Sequence, residues 1–320
     1  MNIVGIVITF EPDIEGIRKL FDALIPQVNK IVVIDNFSSI SPKEYVVSRY
    51  VEYIQLTENF GIAYAQNIGI QWAVDFGATH VLLLDQDSVP DHNMVSMLSS
   101  VLIENQVKMA GAAAIAAVGP SYKDIRSNKR SFYVIEKNHL PSRWIPDDTC
   151  LDSEQVEAVF LISSGTLIPI DVIKALGGMR SDYFIDHVDT EWSFRAKQLG
   201  YRIVGVPSAV MEHSLGDEVK SIWFFGKRQV SYHSPLRDYY MFRNTLLMLR
   251  DVSMSTAWRL HFVWRLVQFA VYFLVFSSSR LERLSKMGLG LYHGLRNVRG
   301  KLDLVDSSCR VIPATLIDPK

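Results

Sequence analysis

Cysteine is almost absent from this sequence. The 320 residues include two, Cys150 and Cys309, far apart and in no Cys-x-x-Cys spacing. That excludes a disulfide-stapled secreted module and suggests neither a zinc knuckle nor a redox pair; a reducing cytoplasm is the simplest compartment. Internal repeats and low-complexity tracts are also missing, and 48% of the residues are hydrophobic, so the chain is neither a disordered tail nor a fibre. No G-x-G-x-x-G follows the first apolar run, where Thr9-Phe10-Glu11-Pro12-Asp13 stands instead, and a dinucleotide-binding reading fails there. That run, Ile3 to Phe10, has no basic segment ahead of it, so it reads as a buried first strand and not as a signal peptide. Long apolar runs are lacking as well. The best, Leu260 to Phe276, is interrupted by His261, Arg265 and Gln268 and falls short of the about 20 residues a span needs.

What is present is unevenly distributed. Residues 1–220 carry 18 Lys and Arg against 28 Asp and Glu, whereas residues 221–320 carry 15 against 6. The last hundred residues also hold 15 of the 35 aromatics. An acidic body with a basic, aromatic tail suggests a surface for an anionic partner. The tail aromatics sit in apolar runs and no recognition fold accompanies them, which favours anionic lipid over nucleic acid. The 260–276 segment is therefore expected to lie on a bilayer, with Trp258, Trp264 and Tyr272 at headgroup level and Arg259 and Arg265 facing phosphates. The competing reading is a helix packed on the main domain. A second basic stretch, Arg280 to Lys301, follows it.

Short β-branched runs alternate with segments of helical period, the pattern of a parallel sheet with covering helices. Strands are expected at Val4–Thr9, Ile31–Ile34, Tyr53–Leu56 and Val81–Leu84, with helices at Ile14–Leu24, Ile62–Phe76 and about Asn93–Glu104. Pro120 to Asp152 reads as a long loop beside a cleft. Order returns at Val156–Ile162, with helices near Val172–Leu176 and Asp189–Leu199 and two strands, Arg202–Val206 and Ala209–Glu212. Polar residues collect at the carboxyl ends of the strands, where open α/β sheets bind ligands.

Asp85-Gln86-Asp87 follows the most apolar of these strands. Its two carboxylates offer hard oxygens to Mg²⁺ or Mn²⁺ bridging a diphosphate, although turns alone are rich in Asp. Asp35-Asn36-Phe37-Ser38 could read a nucleobase edge or form an Asx-turn. Asn59 could cap the next helix, which does not account for Asn67 inside it. A haloacid-dehalogenase-like phosphatase would use Asp85 as nucleophile. Its motif opens a domain and runs into Gly-Thr or Gly-Val, whereas three strands precede this one and Ser88-Val89-Pro90 follows.

Val7-Ile8-Thr9-Phe10, Asp35-Asn36-x-Ser38, Asn59-x-Gly61-x-Ala63-x-Ala65-x-Asn67-x-Gly69 and Asp85-Gln86-Asp87 stand in the order seen in family 2 glycosyltransferases. Across about its first 220 residues the chain resembles that family, whose GT-A fold is a mainly parallel α/β sheet flanked by helices. Leu83 to Ser88, Ser163-Ser164-Gly165-Thr166 and Phe184 to Trp192 resemble the bacterial rhamnosyltransferases of O-antigen and polysaccharide assembly.

The resemblance implies roles position by position. Thr9, Asp35, Asn36, Asn59, Asn67, Asp85 and Asp87 would bind the donor, Asp35 at the base and Asp85 at the ribose. Asp87 and His213 would hold Mg²⁺ or Mn²⁺ on the diphosphate, and Asp189 would be the general base. Ser164, Gly165, Glu191 and Trp192 would line the cleft on the acceptor side; Arg195 is assigned to structure first. The activity implied is inverting transfer of L-rhamnose from dTDP-β-L-rhamnose to an undecaprenyl-diphosphate-linked saccharide, on the inner face of the bacterial plasma membrane. Residues 1–250 would be the GT-A domain and 251–320 a membrane-associating basic helical region, with Arg237 to Asn244 as hinge and self-association left open. A non-catalytic sugar-nucleotide-binding scaffold would have lost base or metal residues, yet Asp87, Asp189 and His213 are all present.

Overall fold

The computed structural model describes residues 1–46, 48–107, 113–124, 130–147, 154–213, 218–223, 227–277, 279–302 and 311–312, the backbone alone for 106–107, 218–223, 227–232 and 311–312. Cys150 and Cys309 lie outside the described residues. The first half alternates strand and helix: β1 Ile3–Thr9, α1 Ile14–Leu24, β2 Lys30–Asp35, α2 Lys43–Val46, β3 Val51–Gln55, α3 Ile62–Asp75, β4 His80–Asp85, β5 Ser88–Pro90 and α4 Met94–Val107. Then come β6 Ile115–Asp124, β7 Tyr133–Lys137, β8 Leu140–Trp144, β9 Val156–Ala158, β10 Thr166–Pro169, α5 Ile170–Leu176, α6 Val188–Gln198 and β11 Arg202–His213. A hairpin, β12 Glu218–Trp223 and β13 Lys227–Tyr232, precedes α7 Pro235–Asp251, α8 Thr256–Phe276 and α9 Arg280–Leu295, and Lys301–Leu302 pairs with Val311–Ile312.

The main sheet runs β3-β2-β1-β4-β10-β6-β11-β5, with β9 added beside β11. β3, β2, β1 and β4 are mutually parallel, and β10 enters antiparallel between β4 and β6. Side chains alternate across the sheet. Val4, Ile6, Val32, Ile34, Val81 and Leu83 enter the core beneath α3 and α6, while their neighbours Val7, Ile31, Val33, Leu82 and Leu84 enter the core beneath α1 and α4. α1 starts where the Asp13 carboxylate accepts the Gly16 N–H at 2.8 Å, and it buries Ile17, Leu20, Phe21 and Leu24. α3 presents Ala63, Ala65, Gly69 and Ala73, small enough for close approach to the sheet.

Four expectations need correction. Much of the 120–152 stretch is strand, since β6 runs to Asp124 and β7 and β8 form a hairpin. Its turn is Asn138-His139, both left-handed at φ 54° and 62°, the backbone of a two-residue hairpin loop. Second, the two strands expected at 202–212 are one, β11, whose register against β6 slips by three residues between Val206 and Val210. Pro207, which has no N–H to give a ladder, sits in that slip. Third, Arg237 to Asn244 form no hinge; they lie within the unbroken helix α7, where Arg243 and Asn244 are wholly buried.

The last correction concerns the tail. α8 is a single helix of 21 residues, by length and composition sufficient to cross a membrane, with Phe262, Leu266 and Phe273 buried and Leu260, Val267 and Val271 exposed. Trp258 is buried, with its indole N–H on the Glu136 carboxylate of β7 at 2.7 Å, so it does not stand at a headgroup level. Part of the basic surplus is taken up by ion pairs within the protein: Arg283 pairs with Asp238 in the interior, Arg299 with Asp182 and Asp251 half-buried, and Lys301 with Glu58 at the surface.

Candidate active site

Pairing of the strands assembles the site. Parallel register sets Thr9 opposite Asp35 and Ile8 opposite Asp85, so β1, β2 and β4 end on one edge. β5 pairs antiparallel with the end of β11 and puts His213 opposite Ser88, one residue beyond Asp87. A histidine 126 residues along the chain thereby reaches the Asp-Gln-Asp turn, its Nδ1 3.4 Å from Asp87 Oδ1. Asp85, Asp87 and His213 each offer a ligand atom, all within 4.8 Å of one another. Two carboxylates and an imidazole suit a divalent cation at a diphosphate. Sequence reasoning had assigned Asp87 and His213 to the ion; the structure adds Asp85 to the cluster.

A chain of hydroxyls fixes the cluster from below. The Asp85 N–H donates to Ser164 Oγ at 3.0 Å, Ser164 Oγ meets Ser88 Oγ at 2.6 Å, and Ser88 Oγ meets His213 Nδ1 at 2.9 Å. Such a contact sets the orientation of a ligating imidazole. Gly165 makes the sharp entry to β10 at φ +75°, where an added Cβ would lie 2.6 Å from the Pro120 ring. Tyr122, which sequence reasoning missed, donates its buried hydroxyl to the Ser164 carbonyl at 3.2 Å with its ring 6.1 Å from His213. No motif announces it.

Gln86 has a task that a carboxylate could not perform. Its amide oxygen accepts the Phe10 N–H at 2.8 Å and its amide nitrogen donates to the Phe10 carbonyl at 3.1 Å. An ionised acid at this position has no donor. The neutral centre of the motif thus ties the β4 turn to the β1 loop.

Asp189, in the first turn of α6, accepts the Thr190 N–H at 2.7 Å and lies beside a small void shared with Ser163 and Trp192. Burial raises its carboxyl above the usual range, against hydrogen bonds from Thr190 and Ser163. Loss of water is also the main reason the Asp85 carboxyl rises to about 6; His213 opposes the rise, and the charges of Asp87 and Asp189 add to it. These groups share one electrostatic field in the cleft.

The remaining residues serve as framework for that edge. Asp35 is wholly buried and accepts from Thr9 at 2.9 Å, Tyr53 at 3.1 Å and Ser38. Asn36 donates to Asn59 at 3.1 Å and accepts the Phe60 N–H, while Asn59 also accepts the Gly61 N–H. Asn67 reaches out of α3 to bond both the N–H and the carbonyl of Met179 at 2.8 Å. Glu191 is buried in a two-point ion pair with Arg195, which caps the carbonyls of Leu176 and Gly178. Trp192 is buried on the inner face of α6 with its indole N–H on the Gly177 carbonyl.

A mainly parallel sheet that gathers an acidic, histidine-containing cluster and a raised aspartate at one edge defines a glycosyltransferase of the GT-A fold. The chain belongs to glycosyl transferase family 2, whose profile matches residues 5–175. It is similar to the dTDP-rhamnosyl transferase RfbF of Shigella flexneri, 29% identical over 300 residues, which are 93% of this chain and 97% of that protein. Among solved structures it resembles S. aureus TarS 1–349 in complex with UDP-GlcNAc, with TM-score 0.56, 15% identity, and coverage of 93% of this chain and 82% of that one. It also resembles GalNAc-T7 with UDP, GalNAc and Mn²⁺, with TM-score 0.54, 14% identity, and coverage of 87% of this chain and 58% of that one. At such identities these two are likenesses of fold.

Proposed function

We propose that this chain is an inverting rhamnosyltransferase, moving L-rhamnose from dTDP-β-L-rhamnose to a lipid-linked saccharide in the assembly of a cell-surface polysaccharide. The observation that carries the reading is the convergence of Asp85, Asp87 and His213 on one edge of the sheet, in the electrostatic field of Asp189. The similarity to a dTDP-rhamnosyl transferase over nearly the whole chain supports the sugar. A Mg²⁺ or Mn²⁺ ion bound by the cluster would neutralise the departing nucleoside diphosphate. Asp189 takes the proton from the acceptor hydroxyl as it attacks the anomeric carbon. One base and one displacement invert that centre. Ser164 and Ser88 hold the ligand set in place, and Gln86 holds the loop beside it.

Release of dTDP by the purified protein, with a panel of nucleotide sugars, a lipid-linked acceptor and Mg²⁺ or Mn²⁺, tests this directly. Turnover of dTDP-rhamnose alone, lost with EDTA, is expected. Turnover of a different donor removes the sugar assignment, and turnover undiminished by EDTA removes the metal.

The acceptor's lipid also gives the outer face of α8 a role, docking on the anionic inner leaflet of the plasma membrane from the cytoplasmic side. Leu260, Trp264, Val267, Val271 and Leu274 form an exposed apolar stripe along the helix, flanked by the exposed Arg259 and Arg265. Apolar contact plus basic residues is the combination that holds a helix at a lipid surface. Co-sedimentation with phosphatidylglycerol vesicles is expected to fall about tenfold in Val267→Glu/Val271→Glu. Equal binding by both proteins sinks the docking role.

A further inference from the structure

The segment that delivers Asp189 is held in an unfavourable backbone shape. Phe184 is the centre of a γ-turn at φ 67° and ψ −65°, closed by the Ile185 N–H on the Tyr183 carbonyl at 2.8 Å. That form is rare and strained. Asp186 and His187 follow at φ 64° and 63°, so three non-glycine residues in four are left-handed immediately before α6. Such a conformation is strained in a non-glycine residue and persists only where its surroundings impose it. The surroundings here are side chains of α7: Arg237 pairs with the Asp186 carboxylate at 2.7 Å and Thr245 Oγ1 meets His187 Nε2 at 2.9 Å, while two adjacent residues between them grip the loop's backbone.

Arg243 and Asn244 are both fully buried. Arg243 donates through one terminal nitrogen to the carbonyls of Asp182 at 3.3 Å and Tyr183 at 3.0 Å. Its other terminal nitrogen donates to the Gly300 carbonyl and to the Tyr239 hydroxyl, and its Nε donates to Asn244 Oδ1 at 2.9 Å. Asn244, so oriented, donates from its amide to the carbonyls of Tyr183 at 2.9 Å, Ile185 at 2.7 Å and Asp186 at 3.1 Å. Among the described residues no carboxylate pairs with Arg243; its charge lies among carbonyl oxygens and over the rings of Tyr239 and Tyr240. A buried guanidinium is a poor means of filling a core, since apolar side chains of similar volume serve at least as well. A rigid fork that grips several carbonyls of one loop is what the guanidinium provides.

The gripped loop also touches the start of α3. The Phe184 carbonyl accepts the Ile62 N–H at 2.8 Å, and Gly61, at φ +88°, leaves only enough room for it, because an added Cβ would stand 2.4 Å from that oxygen. The same loop therefore sets the start of α3 and the start of α6.

We infer that Arg243 and Asn244 are positioning residues for Asp189, the pair that fixes the 182–187 loop so that the base meets the donor at a set distance. The inference rests on Asp189 being the base. It predicts a loss in the chemical step with nucleotide binding intact, because the carboxylates of β4 are held by other strands.

The test uses the full chain carrying Asn244→Ala, with Arg243→Lys as the second variant, which keeps the charge and loses the fork. Transfer kinetics, the affinity for dTDP with Mn²⁺ by calorimetry, and the melting temperature are measured together. A kcat lower by about 10²-fold, with dTDP affinity within about threefold of wild type in folded protein, is expected for either variant. A folded variant with kcat within about threefold of wild type overturns the inference, as does a kcat that falls in step with dTDP affinity and the folded fraction. If Asn244→Ala does not fold, Arg243→Lys decides by the same criteria, and failure of both to fold makes the pair a stability element and overturns the inference too. Asp189→Ala, run alongside, separates the two levels: its full activity removes the base assignment, whereas its inactivity beside an unimpaired Asn244 variant removes only the positioning role.

Discussion

Asp189→Ala is expected to lower kcat by about 10³- to 10⁴-fold while dTDP binding with Mn²⁺ stays within about threefold of wild type. The expectation comes from where the residue sits. Asp189 belongs to α6, whereas Asp85 ends β4, Asp87 lies in the turn after it and His213 ends β11, so removing it leaves the metal cluster's framework untouched. Asn at this position keeps the acceptor for the Thr190 N–H and loses basicity, so Asp189→Asn should be as inactive as the alanine variant with a smaller change in stability. The pH dependence has a definite sign. A base works deprotonated, and burial raises the Asp189 carboxyl, so the rate should fall on the acid side with a midpoint above that of an ordinary aspartate. Below the midpoint the loss is about tenfold per pH unit. Transfer by Asp189→Asn at the wild-type rate would remove Asp189 from the chemistry.

The first four strands were legible because nothing competes with their pattern. Runs such as Ile3–Thr9 and His80–Asp85 are apolar enough to be buried on both faces, and polar residues mark their ends. The β7–β8 hairpin was illegible for a specific reason. Its turn is Asn138-His139, and histidine carries none of the glycine signal that advertises two left-handed residues; Pro141 further disguises the returning strand. Asp-x-Asp, the later aspartate and the histidine could be listed from the sequence, but their meeting depends on β5 pairing with β11, a contact between residues 88–90 and 211–213 that no local pattern encodes. Gln86 stands in the motif with nothing to mark its role, and is a two-point tie to Phe10. Trp258 and Arg283 looked like a membrane-facing surface because composition counts side chains without direction; both face inward, and the exposed stripe of α8 is made of their neighbours.

Asp238→Ala is expected to destabilise the protein by about 3–5 kcal/mol, since it leaves Arg283 charged and buried without its carboxylate. The two side chains are nearly inaccessible and meet at 2.6 Å across α7 and α9. Arg283 also donates to Ser277 Oγ at 3.1 Å and to the His233 carbonyl, and stands 4.2 Å over the Phe273 ring, so the charge has no route to water. At about 2–4 °C per kcal/mol for a chain of this order of size, the melting temperature should drop by roughly 10 °C. The pair does not repay its own burial, however. Desolvation lifts the Asp238 carboxyl to about 6 despite the opposing charge of Arg283, so the ionised form is penalised at neutral pH. Asp238→Leu combined with Arg283→Met should therefore recover most of the loss, to within about 1.5 kcal/mol of wild type. A double variant as unstable as the single would mean that the ion pair is itself the source of stability between the helices. Recovery with transfer intact would show that α9 needs an apolar contact with α7 and nothing more. Arg243, on the adjacent turn of α7 and gripping carbonyls instead of a carboxylate, has no such replacement.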